Sequence, residues 1–253
     1  MLLLFSCGKF EYSPNQVTPE EKYCNINQTN ISNISETGSD TLKIAVIGDS
    51  QSCLNSTKNT IDKINSITGI CFVIHTGDLV DLGLQREYTW MHELLSELNY
   101  PYVAVVGNHD LIANGAEIYK AMYGDFNFSF TINRTKFIYH NTNGSACAYA
   151  DNVPDISWLD HMLSDTANYD QAVIVNHVPP IDADFNSELK DAYVSTLNKF
   201  GKTILEINGH IHEFSFTEPF GDGISYLNSW STEDKKFTLL KIWYHGFSIE
   251  TIE

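Results

Sequence analysis

"LKIAVIGDSQS", Leu42 to Ser52, is the stretch whose reading decides the fold. It opens as a short, nearly unbroken apolar run, the pattern of a strand covered on both faces. The run stops at Gly48-Asp49, which sets a carboxylate at the strand's exit, and Gln51 follows two positions on. The pattern recurs downstream. "ICFVIHTGD" (70–78) ends on Asp78 and "PYVAVVGNHD" (101–110) on Asn108-His109-Asp110. "QAVIVNHVPP" (171–180) carries His177 ahead of two prolines, and "KTILEINGHIH" (202–212) closes on His210 and His212.

Between these runs lie helical patterns. "STKNTIDKINSI" (56–67) spaces Ile61, Ile64 and Ile67 along one face, and "QREYTWMHELLSEL", "GAEIYKAMYG", "ISWLDHMLSD" and "SELKDAYVSTLNKF" read the same way. Strands alternating with helices predict an α/β domain with mixed sheets. From Phe214 onward, alternating short runs with "FGDG" as a hairpin turn predict an antiparallel tail.

In an open α/β sheet, functional groups gather in the crevice beyond the strands' carboxyl ends. A single Gly-Asp after a strand is usually a turn or a cap, and a single histidine is usually packed or on the surface. Five exits in the same phase, each bearing Asp, Asn or His, point instead to a shared site. Of the remaining histidines, His75 lies inside a strand and is expected to be packed, and His92, His140, His161 and His245 fall outside every motif. Tyr119, Tyr123, Phe126, Phe128 and Phe130 flank the loop after "GNHD" and are expected mainly in the core.

Composition narrows the partners. The 253 residues are 43% hydrophobic and 12% aromatic, enough for a full core, and 32 acidic against 15 basic residues give a net charge of -17. That balance argues against a nucleic-acid surface or an anionic membrane face, both of which need a basic footprint. The start, "MLLLFSCGKF", resembles the end of a bacterial lipoprotein signal, with Cys7 as the residue to be lipidated. Residues 1–7 are therefore read as a signal remnant, 8–40 as a polar flexible tether and 41–253 as the folded domain. Membrane attachment is expected only through Cys7, at the bacterial cell envelope, the alternative being a cytoplasmic protein. Cys24, Cys53, Cys71 and Cys147 match no zinc spacing.

The ordered series "GDSQ", "GDLVD", "GNHD", "NH" before "VPP", and "GHIH" resembles the calcineurin-like metallophosphoesterase superfamily. The resemblance runs from about Leu42 to the antiparallel tail. It implies a four-layer α/β/β/α sandwich of two mixed sheets with a dinuclear metal site at the strand ends. By motif, Asp49, Asp78 and His212 would hold one metal, with Asp78 bridging, and Asp78, Asn108, His177 and His210 the other. Imidazole and carboxylate suit Mn, Fe, Zn or Co. The implied reaction is hydrolysis of a small phosphomonoester or phosphodiester by a hydroxide bridging the two ions. His109 would be the general acid and Asp81 would orient it, while Asp110 braces the loop.

The chain departs from the family pattern in informative ways. The first motif usually reads Asp-x-His, but here it is Asp49-Ser50-Gln51, and Gln51 is either a ligand through its amide oxygen or a residue behind the ligands. Purple acid phosphatases also lack that histidine but place a tyrosine where this chain has Asp81. The serine/threonine protein phosphatases have an arginine where it has Leu82. Arg86 and Arg134 are the only arginines, which leans against a multi-arginine phosphate clamp. The alternative function is a non-catalytic metal-binding or structural lipoprotein on a decayed phosphoesterase scaffold.

Overall fold

The computed structural model describes residues 16–35 and 40–253. Two sheets carry the domain. The first contains β1 (Leu42–Ile47), β2 (Phe72–His75), β3 (Tyr102–Ala104), β10 (Phe237–Trp243) and β11 (Gly246–Ile252), in the order β11-β10-β1-β2-β3. The second contains β4 (Phe128–Ile132), β5 (Thr135–Tyr139), β6 (Gln171–Val175), β7 (Thr203–Asn208), β8 (Ser215–Thr217) and β9 (Ser225–Asn228), in the order β4-β5-β6-β7-β9-β8. The first sheet is parallel through β1-β2-β3 and antiparallel through β1-β10-β11, and the second is parallel from β5 to β9 and antiparallel at both edges, so both are mixed.

Strand periodicity divides the core into layers, because alternate residues point to opposite faces. Ile44, Val46, Phe72 and Ile74 from the first sheet meet Phe137, Val173, Val175, Leu205 and Ile207 from the second, filling the space between the sheets. The intervening residues Ala45, Ile47, Val73 and Ala104 face α2 (Leu54–Asn65), α3 (Gln85–Leu95) and α4 (Gly115–Tyr123). On the far side, Ile138, Ala172 and Ile174 pack against α5 (Ile156–Ser164) and α6 (Lys190–Asn198). The result is helices, sheet, sheet, helices, as expected. Tyr119 and Tyr123 belong to the first helix-facing core and Phe128 and Phe130 to the core between the sheets, so none of these four roofs the site.

Two expectations need correction. The tail is only partly antiparallel: β8 pairs antiparallel with β9, but β9 runs parallel to β7, and β10 crosses to the other sheet beside β1. Within the presumed tether, residues 16–35 are docked against the domain. They contain a short 3₁₀ turn and α1 (Ile26–Ser32). The cause is the exposed edge of β3, whose free backbone groups need partners. Asn27 Nδ2 donates to Ala104 O at 3.0 Å while Ala104 N donates to Asn27 Oδ1 at 3.0 Å, and Asn30 Nδ2 donates to Tyr102 O at 2.8 Å. Asparagines read as linker composition instead cap a sheet edge, and Ile26 is buried beneath them. Cys7 lies outside the described residues. Among those residues no helix is long and apolar enough to cross a membrane, and the four cysteines are free.

Candidate active site

The strand exits meet at one end of the sandwich. The chain reverses sharply there, and Asp49, Asp78, His210 and His212 all take left-handed backbone angles, with φ of 49°, 55°, 74° and 58°. Such angles are uncommon outside glycine and collect at functional sites. They turn each side chain into the crevice instead of along the sheet. Close approach of the turns also demands glycine. A Cβ on Gly107 would lie 2.1 Å from both the backbone N and Oδ1 of Asp78, so Asn108 reaches the site only because position 107 has no side chain.

The predicted side chains form a closed ring of contacts. Asp49 Oδ1 is 3.4 Å from His212 Nε2, which is 3.3 Å from Gln51 Nε2, which is 3.3 Å from Asp78 Oδ2. Asp78 Oδ2 is 3.3 Å from His177 Nε2, and Asn108 Oδ1 lies 2.9 Å from both His177 Nε2 and His210 Nδ1. The ring closes where the His210 backbone N–H donates to Asp49 Oδ1 at 3.0 Å. Asp49, Asp78, Gln51 and His177 are buried, whereas the His212 side chain is 44% exposed and gives solvent its entry.

Electrostatics mark the ring as a place for cations. Burial opposes charge on His177, yet the neighbouring Asp78 and Asp49 lift its pKa to about 9. Burial likewise opposes charge on Asp78, but His177 and the N–H of His109 draw its pKa below the usual carboxylate range. His210 is lowered, chiefly by burial and by the neighbouring His177. Asp49, Asp78 and His177 place ligand-type atoms within 4.8 Å of one another. Asp49 Oδ2 and Gln51 Oε1 are buried without a hydrogen-bond partner among the described residues, which proteins seldom tolerate. Mixed carboxylate, imidazole and amide donors with two oxygens still to be satisfied fit divalent metal ions. The His177 Nδ1–H donates to Thr76 O at 2.8 Å, fixing the tautomer that leaves Nε2 free to ligate.

His109 stands beside the ring. Its backbone N–H donates to Asp78 Oδ1 at 2.9 Å, and its side chain is 37% exposed. Its Nδ1–H donates to the main-chain carbonyl of Asp81 at 3.0 Å, while the Asp81 carboxylate stands off at 3.9 Å. The expected Asp81 contact therefore runs through backbone more than side chain. Asp110 points away from the ring and accepts from Leu79 N, Val80 N and Gly107 N at 2.9, 3.1 and 2.8 Å, bracing two turns together. Burial raises its pKa to about 8. His75 is fully buried and meets Ser50 Oγ at 2.9 Å. Asp182 and Asp184, absent from the sequence reading, form a second cluster with His210. Their only signal is the "DAD" after "VPPI", which reads as ordinary loop acidity.

A family model for the calcineurin-like phosphoesterases matches residues 42–214. The chain belongs to that family. The chain is 26% identical over 165 residues to a glycerophosphodiester phosphodiesterase, GpdQ, of Enterobacter lignolyticus (strain SCF1), an overlap of 58% of the chain and 57% of that protein. It is 25% identical over 184 residues to a probable cyclic nucleotide phosphodiesterase of Moraxella catarrhalis (strain BBH18), covering 64% of the chain and 65% of that protein. The chain thus spans less than two thirds of each of these relatives. Among solved structures it resembles a dimetal phosphatase from Danio rerio, with a TM-score of 0.65 at 12% identity, covering 83% of this chain and 95% of that one. At that identity the likeness concerns the fold.

Proposed function

We propose that the chain hydrolyses a phosphodiester in a reaction that depends on two divalent metal ions. The observation that carries this reading is the closed ring of ligand-type side chains, with the buried Asp49 Oδ2 left to be satisfied. Asp49, Asp78, His212 and Gln51 would hold one ion and Asp78, Asn108, His177 and His210 the other. Gln51 fits the first set once its amide is flipped, since exchanging O and N brings the oxygen to 3.3 Å from Asp78 Oδ2 and from His212 Nε2. Bound there, the ions would supply charge neutralisation at phosphorus and acidify a water.

The chain's own residues do the rest. His109, held through Nδ1 by the Asp81 carbonyl and 37% exposed, keeps Nε2 to donate a proton to the departing alkoxide. The preference for a diester follows from charge. Neither arginine serves the site: Arg134 pairs with Asp170 at 2.7 Å and Arg86 lies over Trp90. Without a guanidinium clamp, a singly charged diester is easier to hold than a monoester dianion. The phosphodiesterase names of the two relatives support the same choice.

The test pairs bis(p-nitrophenyl) phosphate with p-nitrophenyl phosphate under added Mn, Fe, Zn or Co, with metal content measured in parallel. Two bound ions and faster turnover of the diester are expected, and Asp78→Asn should abolish most of both. A protein that binds no metal, or whose Asp78→Asn variant keeps its full metal content, would refute the assignment. Binding without hydrolysis of any phosphoester would favour the non-catalytic scaffold.

A further inference from the structure

We infer that Asp182 and Asp184 are positioning residues that fix the His210 ring and strengthen it as a metal ligand. The two histidines of the proposed second metal position converge on Asn108 Oδ1, but through opposite nitrogens, His177 through Nε2 and His210 through Nδ1. Each therefore has an outward nitrogen that needs an acceptor. For His177 it is a neutral carbonyl, Thr76 O. For His210 it is a pair of carboxylates: Nε2 lies 3.3 Å from Asp184 Oδ2 and 3.5 Å from Asp182 Oδ1.

The carboxylates are held in place by their own loop. Asp182 N donates to Pro179 O at 3.0 Å, Asp184 N donates to Asp182 Oδ1 at 2.9 Å, and Ser145 N donates to Asp184 O at 2.8 Å. The segment that delivers His177 thus folds back within seven residues to seat the partner of His210. His210 itself has a left-handed backbone and spends its N–H on Asp49, and its ring meets Asn108 through Nδ1 and the edge of His177, so the two carboxylates are what hold its Nε2 side. An N–H donated to a carboxylate locks the tautomer that leaves the opposite nitrogen free to ligate, and makes that nitrogen more basic. Asp182 and Asp184 are 30% and 44% exposed, so their substitution leaves the core untouched.

This inference rests on His210 being a ligand, as proposed above. Its test is calorimetric titration of chelator-stripped protein with Mn²⁺, comparing wild type, D182N/D184N and D184E. The double amide variant keeps the loop's turn and both acceptor oxygens but removes the charge. The expected result is two ions in every protein, with one dissociation constant weakened about 10- to 100-fold in D182N/D184N. D184E, which keeps both negative charges, should lose much less than D182N/D184N, and the metal-free melting temperature should be unchanged in both. Unaltered dissociation constants in D182N/D184N overturn the inference while leaving the two-metal reading intact. Three ions in wild type and two in the double variant also overturn it, because the carboxylates would then be a metal site of their own. A wild type that binds no ion overturns the two-metal reading and this inference with it.

Discussion

Glu206 offers a quantitative check on how the site's foundations are built. It sits in β7, fully buried, with Oε1 accepting from Asn176 Nδ2 and from Tyr193 OH at 3.3 Å. Asn176 immediately precedes His177, and Glu206 lies four residues before His210, so this network underlies both strand exits. Burial raises the Glu206 pKa from 4.5 to about 8 against the opposing hydrogen bonds. Below the lower value both the folded and unfolded chains hold the proton. Between the two values the unfolded chain releases it first, so folding loses stability as pH rises. At about pH 7 the separation from 4.5 is roughly 2.5 pH units, and at ~1.4 kcal/mol per unit this group alone costs about 3 kcal/mol. Glu206→Gln keeps the accepting oxygen and removes the ionisation. Urea unfolding followed by tryptophan fluorescence should show the variant gaining about 3 kcal/mol on wild type between ~pH 4.5 and ~pH 7. A difference in stability that does not change with pH would refute a neutral Glu206 and the dry environment assigned to it.

Gln51→His should tighten the weaker of the two metal dissociation constants, measured by competition with a chelator, because imidazole is the better donor; an unchanged constant would place Gln51 behind the ligands. His109→Ala should slow diesters with poor leaving groups by about 10²- to 10⁴-fold while metal content holds. A parallel fall in bound metal would make His109 structural. Asn27→Ala strips the buried N–H of Ala104 of its partner, while its C=O keeps the Tyr119 hydroxyl at 2.8 Å, and should cost about 1–3 kcal/mol in urea unfolding. A neutral result would mean that α1 does not seal the edge of β3.

The order of the strands' functional exits was legible because two local signals coincide. At four of the five exits an apolar run of strand length stops at glycine and the next residue carries a donor atom, and at the fifth Asn176 stands in the glycine's place before His177. One rule about crevices in α/β sheets then brings Asp49, Asp78, Asn108, His177, His210 and His212 together without any knowledge of pairing. What was not legible depends on distant partners. Asn27 reads as linker until β3 is known to be an edge with free groups about 75 residues away in sequence. The parallel pairing of β9 with β7, and the passage of β10 to the other sheet, are choices among registers that short alternating runs do not encode. Asp182 and Asp184 look like surface acids because the imidazole they face enters from another strand. Asp81 was read as a carboxylate partner, but the turn after β2 offers its carbonyl instead. That distinction is made by backbone direction and not by residue type.

The ring's two halves differ in a way that bears on how such a site would work. On one side, Asp78, Asn108, His177 and His210 are tied into the fold: His177 by the Thr76 carbonyl, Asn108 by two imidazoles, and Asp78 by the His109 N–H. On the other side, Asp49 is anchored but His212 is nearly half exposed and Gln51 contributes a neutral amide. A metal position made of one fixed carboxylate, one shared carboxylate, an exposed imidazole and an amide holds its ion less tightly than one made of buried donors. The same features leave it open to solvent and next to His109. A tightly held ion is suited to orienting the phosphoryl group and a loosely held one to exchanging ligands as substrate enters. On the two-metal reading proposed above, Gln51 would be the donor that most weakens the more open position.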